Sequence, residues 1–151
     1  LRTVNDPVDI RNWVRRPNGI TTSGKLEADD PARLAAIGVR HVVNLALDDH
    51  PEALKNEREL LAQHGIKYTH IPVPFDKPTR EHVDQMIKAI EGAPGPTHVH
   101  CIMNYRVSAF FYILDCESGV PEAQARELMT KVWDPLFSDD PRVAPWRKLL
   151  S

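Results

Sequence analysis

Thr97-His98-Val99-His100-Cys101-Ile102-Met103-Asn104-Tyr105-Arg106-Val107-Ser108 reads as strand, tight turn and helix. A short β-rich run ends on a cysteine, a polar turn follows, and Val107, Phe110, Phe111, Ile113 and Leu114 open an apolar helix. In such a segment several backbone N–H groups and a helix N-terminus converge just beyond the thiol, which makes an oxyanion site. The positive end of the helix dipole and the nearby Arg106 favour negative sulfur. One stretch therefore pairs a nucleophile, Cys101, with a place for phosphate on Ile102, Met103, Asn104, Tyr105 and Arg106. The plainer readings are a small buried hydrophobe for Cys101 and a solvated helix-start arginine for Arg106.

Outward from that segment, strands alternate with helices. Val39 to Leu47 is a largely apolar, β-branched run that predicts a buried strand, and Ile66 to Val73 predicts the next one. Asp30 as N-cap, Pro31 at the first helical position and Gly38 as stop frame one helix, with Leu34 and Ile37 facing the core. A second helix is expected from about Pro51 to His64, ended by Gly65. Thr79 caps a third, in which Val83, Met86, Ile87 and Ile90 fall on one face. Pro121 starts a further amphipathic helix through Trp133, and Trp146 to Leu150 reads as a short helical tail. The first 23 residues show no helical period; Pro17-Asn18-Gly19 suggests a hairpin or edge strand there. The pattern predicts an α/β domain spanning 1–151, with a central, mainly parallel β-sheet flanked by helices. In such sheets ligands bind beyond the carboxyl ends of the strands, where Cys101 falls.

Composition narrows the function classes. At 151 residues the chain suits one domain with a sizeable core. With 19 Lys and Arg against 21 Asp and Glu, there is no overall basic field for nucleic acid or an anionic membrane. No apolar stretch reaches the length of a membrane span, and Leu1 to Asp30 lacks a signal-peptide pattern. Two cysteines, Cys101 and Cys116, fit a reducing compartment better than a disulfide framework. The expectation is a cytoplasmic protein without cofactor, its oligomeric state open.

Hydrolysis through a cysteinyl-phosphate needs a thiolate, donors for the phosphoryl oxygens, an acid for the leaving group and a base for water. Cys101 offers the first, and Arg106 suits bidentate contact with two phosphoryl oxygens. Asp76, the sole carboxylate between Ile66 and Thr79, follows a strand of the same sheet and offers the acid. A solvated turn aspartate is its alternative.

On these residues the chain resembles the cysteine-dependent protein tyrosine and dual-specificity phosphatases, in a bacterial-type form. Their signature is His-Cys, five residues, Arg, then Ser or Thr; here only four residues separate Cys101 from Arg106. Either the cradle is shortened by one and Arg106 keeps its role, or Asn104 takes the family's glycine position and Val107 the arginine's. Asn visits left-handed turn positions readily, which suits the second alignment; the first, with Arg106 facing the anion, is favoured. The run Ile71-Pro72-Val73-Pro74-Phe75-Asp76 resembles the general-acid loop of dual-specificity phosphatases. The resemblance implies a phosphatase acting on phosphotyrosine, phosphoserine or phosphothreonine, or on a small phosphomonoester. It further implies that Asp76 protonates the leaving oxygen, that His100 orients the loop and that Ser108 donates to the departing sulfur. Ser23-Gly24 resembles the entry region of this group. Trp133-Asp134-Pro135 has the wrong order for the acid loop of tyrosine phosphatases and is rejected for that role.

Three rivals remain. The four-residue gap also resembles the active-site loop of rhodanese-type sulfurtransferases, although their expected upstream glycine-rich segment is missing. A phosphate-binding pseudophosphatase would use the same cradle without turnover. A metal site on His98, His100 and Cys101 lacks a completing pair of ligands, so no metal is expected.

Overall fold

The computed structural model describes residues 5–151. Residues 1–4, the start of the expected 1–151 domain and of the segment without helical period, lie outside the described residues. Four β-branched or aromatic runs form the parallel part of a five-stranded sheet of order β1-β2-β5-β3-β4. These are β2 (Thr21–Ser23), β3 (His41–Asn44), β4 (Lys67–His70) and β5 (Thr97–His100). β1 (Val14–Arg15) pairs antiparallel with β2 across Pro17–Gly19, where Asn18 and Gly19 take positive φ, so the expected hairpin is present. The other three pairings are parallel.

Helices cover both faces. On one side α1 (Asp30–Ala36) and α2 (Glu57–Ala62) enclose Leu34, Val42, Leu61 and Ile66. The other side carries the larger core, in which Val43, Val99, Val83, Met86, Phe110, Phe111 and Trp146 pack together. Its helices are α3 (Arg80–Glu91), α4 (Tyr105–Glu117), α5 (Glu122–Thr130) and α6 (Ala144–Leu150). Thr79 caps α3 as expected: its hydroxyl accepts from the His82 N–H while the Thr79 N–H donates to His82 Nδ1.

Three boundaries differ from the sequence expectation. Asp30 is the first residue of α1, not its cap; its carboxylate accepts from the Glu27 N–H at 2.7 Å and from Arg33 at 2.9 Å. α2 begins at Glu57 instead of near Pro51, because Asn56 sits at φ 59°, a left-handed conformation that no right-handed helix continues through. β3 and β4 are each four residues long, though the chain stays in ladder contact beyond them through Leu45 N–H to His100 O (2.8 Å) and Val73 N–H to Leu45 O (3.0 Å). Among the described residues no helix is long and apolar enough to cross a membrane.

Candidate active site

Ser23, His100, Asn44 and His70 stand in one register row across the parallel strands, each the last residue of its strand. The chain leaves the sheet on the same edge four times, and Gly24, Cys101, the 45–56 connection and the Pro72–Thr79 loop all start there. Cys101 follows β5 directly, and its N–H donates to Ser23 O at 3.4 Å. It is completely buried and packs against the larger core.

From Cys101 to the start of α4 the loop turns its carbonyls outward. Ile102 O accepts from the Lys25 N–H at 2.9 Å, and Met103 O from Asn12 Nδ2 at 2.9 Å. Asn104 Nδ2 returns the contact by donating to Asn12 O at 2.8 Å and to Thr22 Oγ1 at 3.1 Å. Asn104 itself is at φ 67°, the left-handed position expected of it. With the carbonyls engaged on the outside, the N–H groups of Ile102, Met103, Asn104, Tyr105 and Arg106 take no protein acceptor among the described residues. Buried backbone donors are normally paired. Five consecutive free ones at the N-terminus of a 13-residue helix are the kind of donor set on which anions bind.

Arg106 is buried, at 8 % exposure, and is aimed at the Pro72–Thr79 loop: Nε donates to Val73 O at 2.8 Å, and the guanidinium stands 5.5 Å from the Phe75 ring centre. Neither of its terminal nitrogens bonds to a described residue. Val107 is wholly buried in the core, so of the two residues the sequence left in contention, the arginine faces the loop. Asp76 is exposed, in a turn closed by Lys77 N–H to Pro74 O at 3.1 Å, and Trp146 Nε1 pins the same loop by donating to Phe75 O at 2.8 Å.

Behind Cys101 lies a buried polar layer that the sequence did not announce. His100 Nε2 is 2.7 Å from Glu57 Oε2, and its Nδ1 is 3.2 Å from Cys101 O. His98 is held between Thr21 Oγ1 (2.7 Å) and Ser23 Oγ (2.8 Å) and stacks on Trp13. Burial first, then the charge on His100, keeps His98 neutral, well below the ordinary histidine range. All four ring nitrogens are thus engaged by protein groups, and the described residues contain no cluster of three or more metal-ligating side chains. The Ser108 hydroxyl, expected to donate to the departing sulfur, donates here to Tyr105 O at 3.2 Å, one turn back along α4.

Beside the loop opens a cleft of about 550 Å³ lined by Phe75, Tyr105, Trp133, Asp134, Arg142 and their neighbours. Tyr105 stacks on Trp133 at 4.6 Å, so Trp133-Asp134, set aside on sequence order, does reach the site as its side wall. Glu57 and Asn12 were missed because they lie 43 and about 91 positions from their partners, beyond any local motif. At Gly24, which the sequence marked only by its resemblance to the entry region of the phosphatases, a Cβ would stand 2.4 Å from Ile102 O, so only glycine lets this strand end touch the loop.

Comparison with known proteins bears on the family and the fold. The family described as beta-lactamase hydrolase-like protein, phosphatase-like domain, matches residues 14–117. No curated protein matches the chain. Two crystal structures of a candidate phosphatase from Shewanella putrefaciens CN-32 superpose with TM-scores of 0.80 and 0.81 at 28% and 30% identity. They cover 99% and 98% of this chain and 93% and 94% of theirs. TpbA of P. aeruginosa, solved in complex with phosphotyrosine, shares the fold at 19% identity and TM-score 0.70, over 99% of this chain and 86% of its own. The core catalytic domain of the PP-IP phosphatase SIW14 of S. cerevisiae, in complex with citrate, does so at 12% and 0.74, over 93% and 86%.

Proposed function

We infer that this chain, which belongs to the phosphatase-like domain family of beta-lactamase hydrolase-like proteins, hydrolyses a phosphomonoester through a cysteinyl-phosphate on Cys101. Its fold is that of the cysteine-dependent tyrosine and dual-specificity phosphatases. The observation that carries the reaction is the row of five free N–H groups from Ile102 to Arg106 at the head of α4, directly after a cysteine. Phosphoryl oxygens seated on those donors bring phosphorus over the sulfur at the foot of the loop.

In the first step sulfur bonds to phosphorus, the ester P–O bond breaks, and Asp76 gives its proton to the departing oxygen. In the second, the Asp76 carboxylate takes a proton from water, the oxygen bonds to phosphorus and the S–P bond breaks, which restores the thiolate and releases orthophosphate. Arg106 meets the charge on the equatorial oxygens with its two terminal nitrogens while Nε stays on Val73 O. The whole chain works as one phosphatase-like domain in this reading. A tyrosine phosphate, a serine or threonine phosphate and a small phosphomonoester all fit the chemistry.

One observation favours sulfur transfer instead: the four-residue spacing between Cys101 and Arg106. Parallel assays on p-nitrophenyl phosphate and on thiosulfate with cyanide separate the two. Phosphate release that disappears in Cys101→Ser supports the phosphatase reading. Thiocyanate formation without phosphate release overturns it, and orthophosphate binding with neither activity leaves a binding module.

A further inference from the structure

Cys101 stands next to a buried ring whose charge is set from 43 positions away. His100 Nδ1 lies 3.2 Å from the Cys101 carbonyl and Nε2 lies 2.7 Å from Glu57 Oε2. The Cys101 carbonyl has no proton to give, so Nδ1 is a donor, and Nε2 faces Glu57 with one proton to share between ring and carboxyl. The two side chains are 3% and 5% exposed. Alone at this depth an imidazolium would give up its proton, because burial penalises the charged form. Against that burial the Glu57 carboxylate, its hydrogen bond, the Cys101 carbonyl and the Asp30 charge hold His100 above its ordinary value.

The other groups around the pair leave this assignment standing. His98, on the same strand face with its ring centre 6.2 Å from that of His100, is kept neutral by burial and by the His100 charge. Asp30 on α1 is paired with Arg33 and adds less to His100 than Glu57 does. Tyr68 on β4, whose hydroxyl accepts from Asn44 Nδ2, is pushed up to about 12 by burial and then by Glu57, so it stays a neutral phenol. Arg58 lies over the Tyr68 ring and not on the pair.

We propose that Glu57 is a positioning residue for Cys101: by keeping His100 doubly protonated it places a buried positive charge beside the nucleophile, with the balancing negative charge on the far side of the ring. The assignment rests on the reading of Cys101 as a reactive thiolate. It gives α2 a task in the chemistry, since Glu57 is its first residue and the left-handed Asn56 aims it inward. Glutamine at 57 keeps the shape and can still bond to the ring, yet removes the charge that holds the second proton.

The experiment uses Cys116→Ser protein, in which Cys101 is the sole thiol, and follows alkylation by iodoacetamide against pH by mass spectrometry. In Glu57→Gln the pH of half-maximal reactivity is expected to rise by about one unit. A purely structural Glu57 leaves that midpoint where it is, which overturns the proposal. A second measurement needs no variant: ¹⁵N NMR of the unmutated protein at neutral pH should show both nitrogens of His100 protonated, and a neutral ring overturns the proposal even if Glu57→Gln does not fold. Neither readout requires turnover, so absence of phosphatase activity and absence of a midpoint shift are separate results.

Discussion

Arg106 Nε donates to the backbone carbonyl of Val73 at 2.8 Å, which ties the first turn of α4 to the loop that carries Asp76. The contact leaves two guanidinium nitrogens for an anion and couples their position to the acid loop. Lysine in place of Arg106 keeps the charge but loses both the fork and the Val73 bond. Arg106→Lys is expected to lower kcat/KM on p-nitrophenyl phosphate by about 100- to 1000-fold, in line with removal of a transition-state donor. Activity within about twofold of the parent would place Arg106 outside the phosphate site.

Asp76 is exposed and bonds to no described residue, so its replacement disturbs nothing structural. Asp76→Asn is therefore expected to leave thermal unfolding unchanged while reducing kcat by about 100-fold or more on an alkyl phosphate, whose leaving oxygen needs a proton. On p-nitrophenyl phosphate, with its better leaving group, the loss should be smaller. Equal loss on both substrates would point to another acid, and Asp134 in the adjoining cleft is then the residue to change.

Asn104 is held in a left-handed conformation at φ 67° with its amide bonded to Asn12 O and Thr22 Oγ1. Asn104→Gly keeps the backbone free but loses the two bonds, and Asn104→Ala loses them and adds strain at that φ. Glycine is expected to cost about 1–2 kcal/mol and alanine about 1 kcal/mol more, read by denaturant unfolding. Alanine as stable as glycine would mean that the turn relaxes out of the left-handed region.

Cys101, Arg106 and Asp76 were legible as candidates because each sits at a fixed step from a strand end, and strand ends follow from β-branched runs and the Gly or Pro that close them. The sheet and the flanking helices were legible for the same reason. Glu57, Asn12 and the arm of Trp133 were not, because what joins them to the site is the stacking of α2, the hairpin and the segment after α5 on a finished sheet. The Ser108 contact was not legible for a local reason: at the head of a helix its hydroxyl finds the carbonyl three residues back, which spacing in the sequence does not announce.

The Glu57–His100 pair makes a signed prediction for stability. A histidine whose folded pKa is raised contributes in full below its unfolded value, 6.5, and loses that contribution as pH rises through the folded value. In Glu57→Gln the buried ring is neutral, so acidification below 6.5 protonates the unfolded chain preferentially and destabilises the fold. The Tm difference between parent and variant should be widest near about pH 5.5, equivalent to about 1–3 kcal/mol, and narrow toward about pH 8.5. A gap that widens with rising pH would contradict the charge assignment.

Gly24 closes the cradle from the opposite side to Arg106. Its N–H donates to Arg11 O at 2.6 Å, and the next N–H, of Lys25, donates to Ile102 O at 2.9 Å. A Cβ at 24 would stand 2.4 Å from that same Ile102 oxygen, which belongs to backbone and cannot swing aside as a side-chain tip does. Gly24→Ala must therefore push the Cys101–Met103 turn away from β2 and break the Lys25 bond that keeps the Ile102 carbonyl facing outward. Stability is expected to fall by about 1–3 kcal/mol, the range typical of overpacking a tight site. Orthophosphate affinity, followed by amide NMR shifts, is expected to fall with it, because the five donors lose their common curvature. A variant that binds orthophosphate as the parent does, at equal stability, would show that the turn adjusts freely and that its curvature is not set by contact with β2.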